Sequence, residues 1–297
     1  MLQDKRVVSR SRCGIALLFL LCFIAFTLLS AGCTKTDRIP PGSAPLTVAV
    51  TIPPQKQFIE RIGGDRVRVV VLVAPGANPH THEPTPGQLA EIGKADLYTA
   101  VGSGIEFERV WMDKIRGVNP LMPVAESSRG IEMINGDPHT WLSPRNAMIM
   151  VNNSCEGLVN IDPNHEAFYR NNRDEYLAEL TGLDRYISQT LAGASHREVM
   201  VSHAGWAYFA RDYDLDLITI EEGGKEPTPG ELEDLVRRAR QDTITVVFAS
   251  PEFSTKSAEV IAHEIRGRVV LISPLEEDYV ENLYKVSVAF AGSWNNG

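Results

Sequence analysis

Cysteine is scarce in this 297-residue chain: there are four, and three of them, Cys13, Cys22 and Cys33, fall within the first 33 residues. Beyond that stretch only Cys155 remains, so neither a disulfide framework nor a cysteine metal cluster can be built. Histidine is sparse too, with seven in all, which makes the place of each one informative. No phosphate-binding loop of the Walker type is present. The segment "EEGGKEPTP" (221–229) has glycines, but its spacing and acidity do not suit a phosphate, which excludes ATP hydrolysis by that route. Positive charge is also in deficit, at 29 basic against 38 acidic side chains. Such a surface repels nucleic acid and anionic lipid and mildly concentrates cations.

No long membrane-spanning run is present either. The most apolar stretch, "GIALLFLLCFIAFTLL", has 16 residues, short for a span. It follows Lys5, Arg6, Arg10 and Arg12 and ends in "LLSAGC", the pattern of a signal peptide over residues 1–32. Leu29, the small Ala31 and Gly32, and Cys33 resemble a lipobox, which implies cleavage before Cys33 and its lipidation, and so an extracytoplasmic, lipid-anchored protein. The other reading, an uncleaved anchor, leaves the rest of the chain on the same side of the membrane. Residues 33–45 ("CTKTDRIPPGSAP") form a polar, Pro- and Gly-containing tether. Without the leader the balance is 25 basic against 37 acidic side chains, a net −12.

Beyond the tether the chain is rich in short apolar runs. "LTVAVTI" (46–52), "VRVVVLVA" (67–74) and "DLYTAVG" (96–102) are β-branched and continuous, as in a parallel sheet covered on both faces. Between them lie "QKQFIERIG", "TPGQLAEIGKA" and "EFERVWMDKIRG", with apolar residues at helical spacing. The rhythm returns with "REVMVSH", "DLITI", "TVVFASP" and "RVVLISP", separated by helices near 205–213, 228–241 and 254–266 and followed by one near 280–291. The expected fold is therefore α/β, with two parallel-sheet lobes at 46–162 and 195–297.

One long helix over 163–194 is expected to join them. Asp162 stands where a cap belongs, Pro163 at the first position, and Phe168, Tyr176, Leu180, Leu183, Ile187 and Leu191 form an apolar stripe. About 30 residues at about 1.5 Å each reach on the order of 45 Å, which makes a strut rather than a loose hinge.

The histidines fall at the ends of strands, where open α/β sheets bind ligands. His80 and His82 lie in "APGANPHTHEPTP" beyond the second strand, His139 lies in "GDPHTWLSP", and His203 follows "EVMVS". His80, His139 and His203 are expected to converge between the lobes as ligands of a divalent metal ion, with Trp141 as a wall. Pro79 and Pro138 fix the backbone before two of them, limiting the entropy lost on coordination. His165, His196 and His263 fall in polar settings and read as surface residues.

"PGANPHTHEPTP", "DPHTWLSP", "SHAGWAYFARDYDL" and "PEFSTKSAEVIAHEI" resemble, in order and spacing over about residues 46 to 290, the metal-binding solute receptors of ABC transporters, a family of zinc and manganese receptor lipoproteins. The resemblance implies two lobes bridged by a long helix, His80, His139 and His203 as ligands in the cleft, and delivery of the ion to a membrane permease served by a cytoplasmic ATPase. It implies a monomeric receptor, not an enzyme. Histidine at 203, where manganese-type members commonly have glutamate, favours Zn2+, with Mn2+ second. Members often add an aspartate where this chain has Ser273, which leaves the fourth ligand open among Glu222, Glu226, Glu276, Glu277 and water. The usual histidine-rich accessory loop is replaced by the short "AESSRGIEMINGDPH". Two other classes fit less well. A zinc hydrolase would use the His80-Thr81-His82 pair with Glu83 as base, but needs further His and Asp clusters that the sequence lacks. A surface adhesin would need an adhesive repeat or exposed aromatic patch, and none is visible.

Overall fold

A computed structural model describes residues 44–193, 196–221 and 225–294. The signal peptide, Cys33 and the tether up to residue 43 lie outside the described residues. None of the described helices is long and apolar enough to cross a membrane.

The first sheet is parallel throughout, with β1 (Leu46–Val50), β2 (Val67–Val71), β3 (Leu97–Ala100) and β4 (Val124–Glu126) in the order β2-β1-β3-β4. Helices α1 (Pro53–Gly63), α2 (Pro86–Ile92) and α3 (Glu106–Val118) are the crossovers that parallel strands require. The second sheet repeats the plan with β5 (Glu198–Val201), β6 (Asp216–Thr219), β7 (Val246–Ala249) and β8 (Arg268–Leu271) in the order β6-β5-β7-β8. Its crossovers are α6 (Ala207–Tyr213), α7 (Pro229–Gln241) and α8 (Lys256–Glu264), and α9 (Tyr279–Trp294) follows β8. The fold is thus two parallel-sheet α/β lobes, as the alternation of apolar runs implies.

Two helices stand between the sheets. The linking helix α5 is Glu166–Leu191, 26 residues, preceded by a 3-10 turn at Pro163–His165. It starts three residues later than expected because Asp162 does not cap it, and it ends at Leu191. The carboxylate of Asp162 instead accepts hydrogen bonds from His165 Nδ1 at 2.7 Å and the Tyr169 hydroxyl at 2.6 Å, and the first turn tightens around those contacts. Tyr169, not Phe168, heads the buried stripe that continues through Tyr176, Leu180, Leu183, Ile187 and Leu191. The other helix, α4 (Pro144–Ile161), is not anticipated by the sequence pattern, although Ser143 caps it by accepting from the Asn146 amide at 3.0 Å and Pro144 follows at its first position.

Packing ties these parts together unevenly. α5 lies against α1, α4 and α9, and one continuous core runs from the first sheet through this helical layer to Val199, Val201, Val246 and Phe248 of the second sheet. The alternate residues Met200, Val247 and Ala249 belong to a separate, smaller core beneath α7 and α8 with Ile218, Val236, Ala239 and Ile261. Successive strand side chains point to opposite faces, so the second sheet has one face in the shared core and one in a core of its own.

Candidate metal centre

Each lobe brings its histidines to the cleft by a different local device. In the first lobe the same tripeptide logic is used twice: Asn78-Pro79-His80 and Asp137-Pro138-His139. The His80 amide donates to Asn78 Oδ1 at 2.8 Å, and the His139 amide donates to Asp137 Oδ1 at 2.9 Å. A short polar side chain that bonds the backbone two residues on, with a proline between, makes a tight turn and limits the entropy that coordination would cost. In the second lobe the strand ladder itself positions the histidine. Ser202 continues β5 by donating its amide to Phe248 O at 2.7 Å, and the Glu221 amide donates to Ser202 O at 3.0 Å. His203 and Glu221 are thereby held at neighbouring strand ends.

The three side chains meet. One ring nitrogen from each of His80, His139 and His203 lies within 4.8 Å of the others. Ring centroids are 5.0 Å apart for His139 and His203, 5.6 Å for His80 and His203, and 6.3 Å for His80 and His139. His139 and His203 are buried, while His80 is exposed at the mouth.

The far side of each buried ring is occupied by a carboxylate. His139 Nδ1 lies 2.6 Å from Asp137 Oδ1, and His203 Nδ1 lies 3.4 Å from Glu221 Oε2. A carboxylate on Nδ1 places the proton there and leaves the Nε2 lone pair free. The two Nε2 atoms face each other at 3.2 Å, so two lone pairs converge with the imidazole of His80 beside them. That is a cation-seeking arrangement. Burial pushes the His139 imidazole below its ordinary value of 6.5, against the pull of Asp137. His80 is open to solvent on one side, but its ring packs against His203, His139 and Phe253 and is pushed the same way, first by the desolvation of that inner side and then by the neighbouring His203 and His139. Both therefore stay neutral, with lone pairs available, to lower pH than a free imidazole.

Aromatic groups wall the site. Trp141 sits 5.2 Å from the His139 ring, donates its indole N–H to Pro274 O at 2.7 Å, and accepts at its carbonyl from the Tyr279 hydroxyl at 2.7 Å. Phe253 stacks flat on His203 at 4.1 Å, with its ring plane 17° from that of the imidazole. Gly205 leaves room: a Cβ there would come within 3.1 Å of the His139 ring.

The remaining candidates stand elsewhere. His82 stacks on Phe107 at 6.2 Å, away from the trio, with its Nε2 buried and without a hydrogen-bond partner, and Glu83 is exposed. The His80-Thr81-His82 pair therefore does not aim at one point, and the hydrolase geometry fails. Glu226 accepts from Ser257, Glu277 is paired with Lys56, and Glu276 is exposed; none joins the three histidines, and Glu222 lies outside the described residues. His196 and His263 are exposed, and His165 is half-buried against Asp162. Asp137, Glu221 and Phe253 are neighbours of these histidines that the sequence pattern does not single out. Of the three, Asp137 alone carries a local signal, in the Asx-Pro turn.

Fold and site together define a class: a two-lobed α/β protein with three imidazoles gathered in its cleft. Residues 48–290 match the family described as zinc-uptake complex component A, periplasmic (ZnuA). The chain belongs to this family. A zinc-bound deletion mutant of ZnuA superposes with a TM-score of 0.81 and 40% identity, over 84% of this chain and 98% of that one. The high-affinity zinc uptake system protein ZnuA of Bacillus subtilis is 28% identical over 279 residues, 86% of each chain. The manganese ABC transporter substrate-binding lipoprotein ScaA of Streptococcus gordonii is 24% identical over 278 residues, 85% of this chain and 86% of that one.

Proposed function

We propose that this protein is the extracytoplasmic receptor of a zinc importer: it captures Zn2+ in the cleft on His80, His139 and His203 and delivers it to the permease of an ABC transporter. The family is one of metal-binding receptors rather than enzymes, and its members' names cover zinc and manganese. The observation that carries the choice of site is the pair of Nε2 atoms 3.2 Å apart, each on a ring whose Nδ1 faces a carboxylate, with the His80 ring beside them. Nitrogen-rich donor sets suit zinc, whereas manganese favours carboxylate and water oxygens, so zinc is the preferred cargo and manganese the second.

Capture proceeds without covalent chemistry. The neutral imidazoles exchange the ion's water for nitrogen, and Asp137 and Glu221 hold the rings in register as positive charge arrives. Lobe movement is a small shear, because α5 is packed against α1, α4 and α9 and the cleft is already bridged by Trp141 to Pro274 and by Gln57 to Asp278. Lipidation of Cys33 would tether the receptor beside its permease, with residues 33–45 as the leash between anchor and domain.

The test is the metal content and affinity of the mature chain purified without a histidine tag. One tightly held zinc per chain is expected. One manganese in its place would keep the site and overturn the cargo, and no stoichiometric metal would overturn the receptor reading.

A further inference from the structure

Three imidazoles leave a zinc ion one donor short of its usual four. The family resemblance implies an aspartate donor where this chain has Ser273, and the Ser273 hydroxyl is engaged otherwise: it donates to Glu252 Oε1 and accepts from the Leu275 amide at 3.0 Å. The serine holds a carboxylate in place of being one. The second oxygen of that carboxylate, Glu252 Oε2, is buried and has no hydrogen-bond partner. A carboxylate oxygen in that condition carries an uncompensated desolvation cost, and a cation is the partner that offsets it most fully.

The topology points the same way. The strand order β6-β5-β7-β8 puts the end of β7 next to the end of β5, which carries His203, and one strand nearer to it than the end of β8, which carries Ser273. Glu252 sits three residues past Ala249, the last residue of β7. The next residue, Phe253, is stacked on His203 and lies 5.9 Å from the His80 ring. The β7 loop therefore lies beside the histidines, with Phe253 packed against two of the three.

We propose that Glu252 is the fourth donor to the captured ion, supplied by the β7 loop and oriented by Ser273 in place of the aspartate that the family resemblance implies. The inference rests on the metal-receptor reading above. The carboxylate stands outside the close group formed by the three ring nitrogens, so its engagement is a side-chain movement that accompanies capture, with Oε1 kept on the Ser273 hydroxyl and Oε2 turned to the ion. One carboxylate beside three neutral imidazoles halves the charge of a divalent cargo. It also gives the site its single hard oxygen donor, the kind manganese needs most.

The experiment measures zinc and manganese affinity by chelator competition, and the visible spectrum of the Co2+-loaded mature chain, for the natural protein and for Glu252→Gln, Ser273→Ala, His139→Ala and the pair Glu252→Gln with Ser273→Asp. Glu252→Gln is expected to weaken zinc on the order of 100-fold, to weaken manganese by a larger factor, and to shift the cobalt bands. The added Ser273→Asp should restore most of the zinc affinity by returning a carboxylate to the neighbouring loop. Ser273→Ala should weaken zinc by roughly tenfold, and it reports on the same carboxylate if Glu252→Gln proves unstable. Natural affinity and an unchanged cobalt spectrum in both Glu252→Gln and Ser273→Ala, with binding lost in His139→Ala, would overturn the assignment of Glu252 and leave the receptor intact. Natural affinity in His139→Ala as well would overturn the receptor reading itself.

Discussion

The two lobes share one strand order and parallel pairing throughout, yet they arm the same topological positions differently. The loop after β2 carries His80 and the loop after β4 leads to His139. Their counterparts after β6 and β8 carry Glu221 and Ser273, while the second lobe's histidine follows β5. Along the cleft, the first lobe contributes nitrogen donors on rigid Asx-Pro turns. The second contributes one nitrogen, the aromatic lid Phe253 and two carboxylates. A repeated scaffold thus produces an asymmetric arrangement, and the three imidazoles meet only because both lobes contribute.

Removing one imidazole from either lobe is the severest way to break that division of labour. His139→Ala and His203→Ala are each expected to weaken zinc by more than the roughly 100-fold that loss of an outer partner costs. Titration against a zinc chelator checks both, and near-natural affinity in either variant would make the site one-sided. The packing contrast comes next. Phe290 touches Trp206, Phe209 and Phe248 in the shared core, so Phe290→Ala should cost about 3–5 kcal/mol, whereas Ile261→Val in the separate core under α8 should cost about 1 kcal/mol. Denaturant melts compare them, and hydrogen exchange should find α7 and α8 opening before α4 and α5.

The strands of both lobes are legible in the sequence because β-branched runs are an unambiguous signal, except for β4, whose three residues "VAE" are partly exposed and too short to show a period. Helix α4 is hidden because Asn152, Asn153, Ser154 and Gly157 are weak helix formers, and the helix persists through the burial of Met150, Val151, Cys155 and Leu158. The three histidines are visible through their prolines and strand ends. Glu221 and Phe253 are not, since each reaches its histidine only after β6 or β7 is laid beside β5.

The orienting carboxylates allow a finer comparison. Asp137→Asn and Glu221→Gln should each weaken zinc by about 10- to 100-fold, with the larger loss at Asp137, whose contact is 2.6 Å against 3.4 Å. Equal losses would show that the two lobes hold their rings with equal force. The mildest probe is acid. His80 and His139 are both lowered from 6.5, so the affinity these two rings carry should hold as pH falls to that value and be lost only below it. A decline beginning at pH 7 would show that these imidazoles are not the ones losing the ion to protons.

Cys155 has a practical consequence. Its thiol is fully buried in α4 and pushed up to about 11 by that burial, so it forms almost no reactive thiolate in an oxidising compartment while the fold is closed. Alkylation at Cys155 then becomes a clock: each modification records one excursion in which α4 lifted from the core. Because cargo binds the closed fold, the clock should slow in proportion to ion saturation, giving a readout of occupancy from a residue that never touches the metal.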